Sequence, residues 1–427
     1  MGRVCVINIP GLSPRLLELV RHLGMQSLGL SPHPMKPTFP ALAPSVQASM
    51  TTGRPAGEHG VLGGSVYRRE AGQISFCERS NTLLSCKRFW HHKGLPRSPN
   101  VAMVNWANAL AGAAQEVVGC YVYQRCREAP AQLPLGLYDQ LVEVLGPPAG
   151  HTDPDAPTAS WRASAWLAEA AREVWTDHHP DLLWVTLPGL DMDLVRHGMD
   201  YPAFETLIEL DKLAMMLVET VSDSRGTAMV VSDGPMVAVR RVARPNYLLA
   251  RAGLVKLCGC PLGPTIDLRG SSAFVLADHQ VGRLFATDES IAAEAAAIVA
   301  EDPAIGLVSL AQPLVGAGPG LERAGELFVQ AAPDAWCTYA WWGPEDPPPT
   351  TASSLDLSAK CGYDPCQLLG AGETGINVDP HAVRASRGLL HTGERDQGVL
   401  TCTCRLDLDI PAAATDLPGL IGKLLFD

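Results

Sequence analysis

No apolar run in this chain approaches the ~20 residues that a membrane-spanning helix needs, so no membrane partner is expected. Clustered basic residues are missing as well. Lys and Arg number 33 against 45 Asp and Glu, for a formal net charge of −12, whereas a nucleic-acid backbone is held by clustered Lys and Arg. No nucleic-acid partner is expected. The 12 cysteines also lack zinc-site spacing: the close pairs Cys258/Cys260 and Cys402/Cys404 are each separated by a single residue. Side chains two apart in a strand face the same side, so both pairs read as reduced core residues. Internal repeats are absent. The opening MGRVCVINIPGL reads as a first strand, not as a signal peptide with a basic start and a cleavage site, and cytoplasm is the expected compartment.

What is present is material for a large core: 427 residues, 47% of them hydrophobic, a length that allows two or three domains. Arg3–Ile9 alternates and is rich in β-branched residues, and Ser13-Pro14 then caps a helix. This strand–turn–helix opening predicts a parallel α/β sheet. DLLWVTL at 181–187 and TAMVV at 227–231 are nearly continuous apolar runs suited to central parallel strands. Ala159–Trp175 and Tyr201–Val221 read as amphipathic helices. The Pro-, Gly- and Asp-rich stretch 130–157 reads as a surface insertion with at most one short helix. From Ser271 to Leu310 the order strand, strand, helix, strand predicts a small α+β subdomain. The expected division is a core over 1–265, an inserted subdomain over 266–350 and a C-terminal return over 351–427.

Phe39–Val61, FPALAPSVQASMTTGRPAGEHGV, predicts a helix that starts near Pro44 and stops at Gly53. A loop entering a helix N-terminus presents free N–H groups and favours anions. Ligands of open α/β sheets gather beyond the carboxyl ends of the strands. Three such ends carry Pro10, Asp191 and Asp233. Paired carboxylates there signal a site, the competing reading being turn caps.

These residues carry a resemblance. The FP, TG and HG landmarks of this stretch resemble FPTLT…TG…P…HGI of the nucleotide pyrophosphatase/phosphodiesterase branch of the alkaline phosphatase superfamily. The resemblance implies an alkaline-phosphatase-like three-layer α/β sandwich with a mostly parallel central sheet. It places the family's threonine nucleophile on Ala43, which has no nucleophilic atom. It places two metal-binding aspartates on Asp191 and Asp233. The other metal ligands fall on Pro10, Val195, Gly234 and Arg387, and the phosphate-binding asparagine falls on Gly64. Two carboxylates are too few for a zinc pair, in which each ion takes about three or more N/O ligands. No metal and no cofactor are therefore expected. LPGLDMDL, LADHQVGRL, KCGYDP and VNWAN resemble a subgroup found in bacterial clusters of small-molecule biosynthesis.

The expected catalytic residues are Asp191, Asp233, His197 and Arg387. His197 beside two carboxylates suits a general base, against the reading of a surface loop histidine. Arg387 either binds an anionic group bidentately or pairs with Asp191 or Asp233. Ser45, Gln47, Trp106 and Asn108 are expected at the substrate; the competing reading for Ser45 is helix-start hydrogen bonding, and for Trp106 and Asn108 core packing and a cap. Function is expected to be a repurposed, metal-independent enzyme using acid–base or electrostatic catalysis on an organic small molecule of bacterial specialised metabolism. The alternatives are a pseudoenzyme binding a ligand or partner protein, and a residual phosphodiesterase/phosphatase-type hydrolase. The sequence carries no signal for oligomeric state.

Overall fold

The computed structural model describes residues 2–75, 78–123, 127–149, 160–260, 263–346, 369–371, 375–377, 379–404 and 410–426. Its main sheet uses eight strands: β1 (Val4–Asn8), β2 (Leu30–Met35), β3 (Val101–Val104), β4 (Glu116–Tyr123), β5 (Arg127–Leu133), β6 (Leu182–Thr186), β7 (Thr227–Val231) and β8 (Gly398–Cys402). Their spatial order is β2-β8-β7-β1-β6-β3-β4-β5. β7, β1, β6, β3 and β4 run parallel, and β2, β8 and β5 close the edges antiparallel.

The apolar runs read as central strands are buried because helices cover both faces. Alternate residues feed two separate cores. Cys5, Ile7, Leu183, Val185, Ala228 and Val230 pack on one face against helices Trp161–Asp177 and Tyr201–Asp223. Val4, Val6, Leu182, Trp184, Met229 and Val231 pack on the other against helices Ala43–Thr52 and Leu417–Phe426. Helix, sheet and helix make a three-layer α/β sandwich. A smaller four-stranded antiparallel sheet, Ala273–Asp278, Val281–Ala286, Leu327–Ala331 and Ile305–Leu310 in that spatial order, packs with helix Glu289–Val299 on its own core.

Two sequence readings change. Stretch 130–157 is not only an insertion: β5 reaches Leu133 as the sheet's last strand, an edge position where Pro130 is tolerated. A helix at Leu137–Leu145 follows, and residues 150–157 lie outside those described, as does most of the CGYDPCQLLG segment. Cys258 is exposed and not in a core, because its strand belongs to a two-stranded hairpin. Cys402 is buried as expected.

Candidate functional site

In-register pairing fixes where the site falls. Asn8 lies beside Thr186 on one side and Val231 on the other, so three neighbouring parallel strands end at one level. Asp191 follows β6 in the first turn of helix Leu190–His197, where the helix N-terminus favours a carboxylate. Its Oδ1 accepts the Met192 N–H at 3.0 Å. That helix enters through Gly189 at φ 120°, where a Cβ would sit 2.8 Å from the Trp161 backbone. Asp233 follows β7 and is fully buried.

Arg387 joins the two acids. Its guanidinium donates at 3.0 Å to Asp191 Oδ2 and at 3.1 Å to Asp233 Oδ1, and all three side chains are at most 7% exposed. The arginine's backbone is held from three directions. Ala385–Ser386 pairs with Val237–Ala238, Gly388 accepts the Ala41 N–H, and Arg387 O accepts the Gln280 N–H from the tip of the small sheet's first hairpin. His279 at that tip has Nδ1 3.2 Å from Ser386 Oγ. The other Asp233 oxygen accepts Gln47 Nε2 at 2.9 Å and Asn8 Nδ2 at 3.2 Å.

Helix Ala43–Thr52 approaches from the second face. Leu42 gives its N-terminus no side-chain cap, Pro44 fixes its first turn, and it ends at Gly53 in the left-handed region, φ 69°. Gln47 bridges outward from it, since its Oε1 also accepts the Ala107 N–H at 3.0 Å. Ser45 is fully buried, and its Oγ has no hydrogen-bond partner among the described residues.

The structure therefore brings together Asp191, Asp233, Arg387 and Gln47, with Ser45 two residues before Gln47 on the same helix. It does not bring His197 to Asp191 and Asp233. His197 is exposed in the last turn of the helix that Asp191 begins, six residues on and about 9 Å along its axis. Trp106 is 1% exposed in the core, its ring centroid 4.8 Å from that of Trp184. Asn108, in the left-handed region at φ 52°, donates to Glu78 O at 3.0 Å and so secures the neighbouring loop. Asn8 was missed by sequence reasoning. Its signal was a lone polar residue closing the apolar run VCVIN at a strand's carboxyl end.

Next to helix Ala43–Thr52, the HG turn buries His59. Val61 N–H donates to Nδ1 at 3.1 Å, so the neutral ring carries its hydrogen on Nε2, 3.0 Å from Ser49 Oγ. Burial, with the Arg88 charge added, pulls this imidazole from 6.5 down to about 3. The unfolded chain thus takes up a proton in a range where the folded chain does not. Stability is intact above pH 6.5 and is lost as pH falls toward 3, with a slope of one proton, about 1.4 kcal/mol per pH unit. Urea titrations across that range should show His59→Gln with a shallower slope by one proton; an unchanged slope would contradict the buried neutral ring.

Among the described residues no group of three or more His, Cys, Asp or Glu is placed to hold a metal ion. No helix there is long and apolar enough to cross a membrane. A cleft of about 320 Å³ opens beside the loop into Ala43, walled by Pro37, Phe39, Ala56, Leu314, Val315 and Leu390, with Lys36 among its lining residues.

Solved structures with a mostly parallel three-layer sandwich of this kind match nearly the whole chain. Phosphonoacetate hydrolase from Sinorhizobium meliloti 1021, in complex with phosphonoformate, matches with TM-score 0.63 at 13% identity, over 99% of this chain and 96% of that one. An inactive threonine-to-alanine variant of murine ectonucleotide pyrophosphatase/phosphodiesterase 5, in complex with AMP, matches with TM-score 0.61 at 12% identity, over 100% and 95%. The human counterpart matches with TM-score 0.62 at 12% identity, over 99% and 94%. No curated protein sequence matches. The family model for type I phosphodiesterase / nucleotide pyrophosphatase matches residues 4–364, and the chain belongs to that family.

Proposed function

We propose that this family member is a metal-independent enzyme that acts on an organic small molecule through electrostatic catalysis on the old hydrolase scaffold. The observation that carries the reading is the Arg387 guanidinium bridging Asp191 and Asp233. The family's two-cation chemistry does not fit the residues present. A guanidinium stays protonated and cannot be a ligand, it stands between the two remaining acids, and the positions that resemblance assigns to further ligands are Pro10, Val195 and Gly234.

Charge argues in the same direction. Two carboxylates and one guanidinium leave a net negative cluster, which repels a phosphate ester where a metal pair would attract it. Ala43 supplies no nucleophile, and the murine relative is described as inactive with the same residue exchange. The apolar walls of the Phe39 cleft suit an organic ligand, and its volume is within the range of small-molecule sites. Resemblance to a subgroup from bacterial biosynthetic clusters supports a substrate from specialised metabolism.

Mutual satisfaction of the acids favours a second reading, a pseudoenzyme that binds a ligand or partner protein without chemistry. Turnover of a pathway intermediate by EDTA-dialysed protein, reduced in Asp191→Asn and Asp233→Asn variants, separates the two. The metal-free protein should neither bind AMP in calorimetry nor cleave aryl phosphate mono- and diesters. Hydrolysis that appears on adding zinc or manganese would overturn the proposal in favour of a residual hydrolase.

A further inference from the structure

β8 ends at Cys402, and the chain bends at once through Thr403 and Cys404. Cys402 is fully buried, paired with Met229 on one neighbour and Leu30 on the other, while Cys404 is half-buried. In a straight strand, residues two apart are about 6.6 Å apart, near the upper limit that a disulfide spans. The bend removes that obstacle. The two sulfurs stand 2.6 Å apart, well inside van der Waals contact, and the Cys404 N–H donates to Cys402 Sγ at 3.3 Å. The pair is also unequal. The hydrogen bond to Cys404, and then burial, push the Cys402 thiol up, while the same hydrogen bond holds the Cys404 thiol below its ordinary range. A more accessible thiol of low pKa next to a buried resolving thiol is the arrangement that thiol–disulfide exchange uses.

We propose that Cys402 and Cys404 form a reversible dithiol/disulfide couple that exchanges with small-molecule disulfides of the glutathione class. The Cys404 thiolate attacks one sulfur of the external disulfide, forms a mixed disulfide and releases one thiolate. Cys402 then attacks Cys404 sulfur and expels the second. The two released thiolates take up the protons that the cysteines lose. Two protein thiols are oxidised to one disulfide, and one external disulfide is reduced to two thiols.

Trypsin cleavage after Arg395 and Arg405 yields residues 396–405, in which Cys402 and Cys404 are the only cysteines. Full-length protein is equilibrated in graded mixtures of reduced and oxidised glutathione, quenched in acid, alkylated under denaturing conditions and digested. The peptide should pass from doubly alkylated to unalkylated and lighter by two hydrogen atoms, in one two-electron transition. Cys402→Ser should collect glutathione on Cys404, whereas Cys404→Ser should leave Cys402 reduced. A wild-type peptide that stays doubly alkylated in oxidised glutathione, or that accumulates mixed disulfides in place of the lighter form, would overturn the proposal.

Discussion

Arg387→Met is expected to lower the unfolding free energy by about 3–5 kcal/mol, the cost of leaving buried charge unpaired. Asp233 has no exposure to water, and Asp191 has little. Without the guanidinium, Gln47 and Asn8 still donate to Asp233, and the Met192 N–H to Asp191, but no cation offsets the pair at this contact. Adding Asp191→Asn and Asp233→Asn to Arg387→Met should recover most of the loss. Urea unfolding followed by tryptophan fluorescence measures all of this. A loss below about 1 kcal/mol, the range of exposed pairs, would mean that the triad is not buried as described.

Trp106→Ala should cost about 3–5 kcal/mol, the usual result of emptying a large aromatic site in a packed core. Its ring packs with Trp184, and Trp184 in turn lies 6.0 Å from Trp90, so three indoles from separate segments share one cluster. Trp106→Phe retains much of the volume and should cost far less. If instead Trp106→Ala keeps full stability and changes only ligand affinity, Trp106 belongs to a pocket and not to the core.

The difference between these residues explains how much was readable in advance. The strands, the Pro44 start and Gly53 stop of helix Ala43–Thr52, and the two acids at strand ends follow from local signals: continuous apolar runs, helix punctuation and strand length. The succession strand, strand, helix, strand along 273–310 was legible for the same reason. The triad was less so. Pairing of Arg387 with one acid was an open alternative, but its bridging of both depends on a loop pinned by Ala41, Val237 and Gln280, contacts far apart in sequence. Trp106 likewise needs a partner strand some distance along the chain. His197 was misplaced although a local signal existed. Asp191 and Asp193 in the first turn and Arg196 and His197 in the last are the charge pattern of a short helix, and that helix carries His197 away from the acid at its start.

Arg387 stands between the two acids, where a cation pair would otherwise be held. Zinc retention by the metal-depleted full-length protein, measured by equilibrium dialysis with elemental analysis, tests this most directly. The expected result is well under one equivalent of zinc per chain, with no gain on Arg387→Gln beyond weak binding. Tight retention of one or two equivalents by the wild type, abolished in Asp233→Asn, would contradict it.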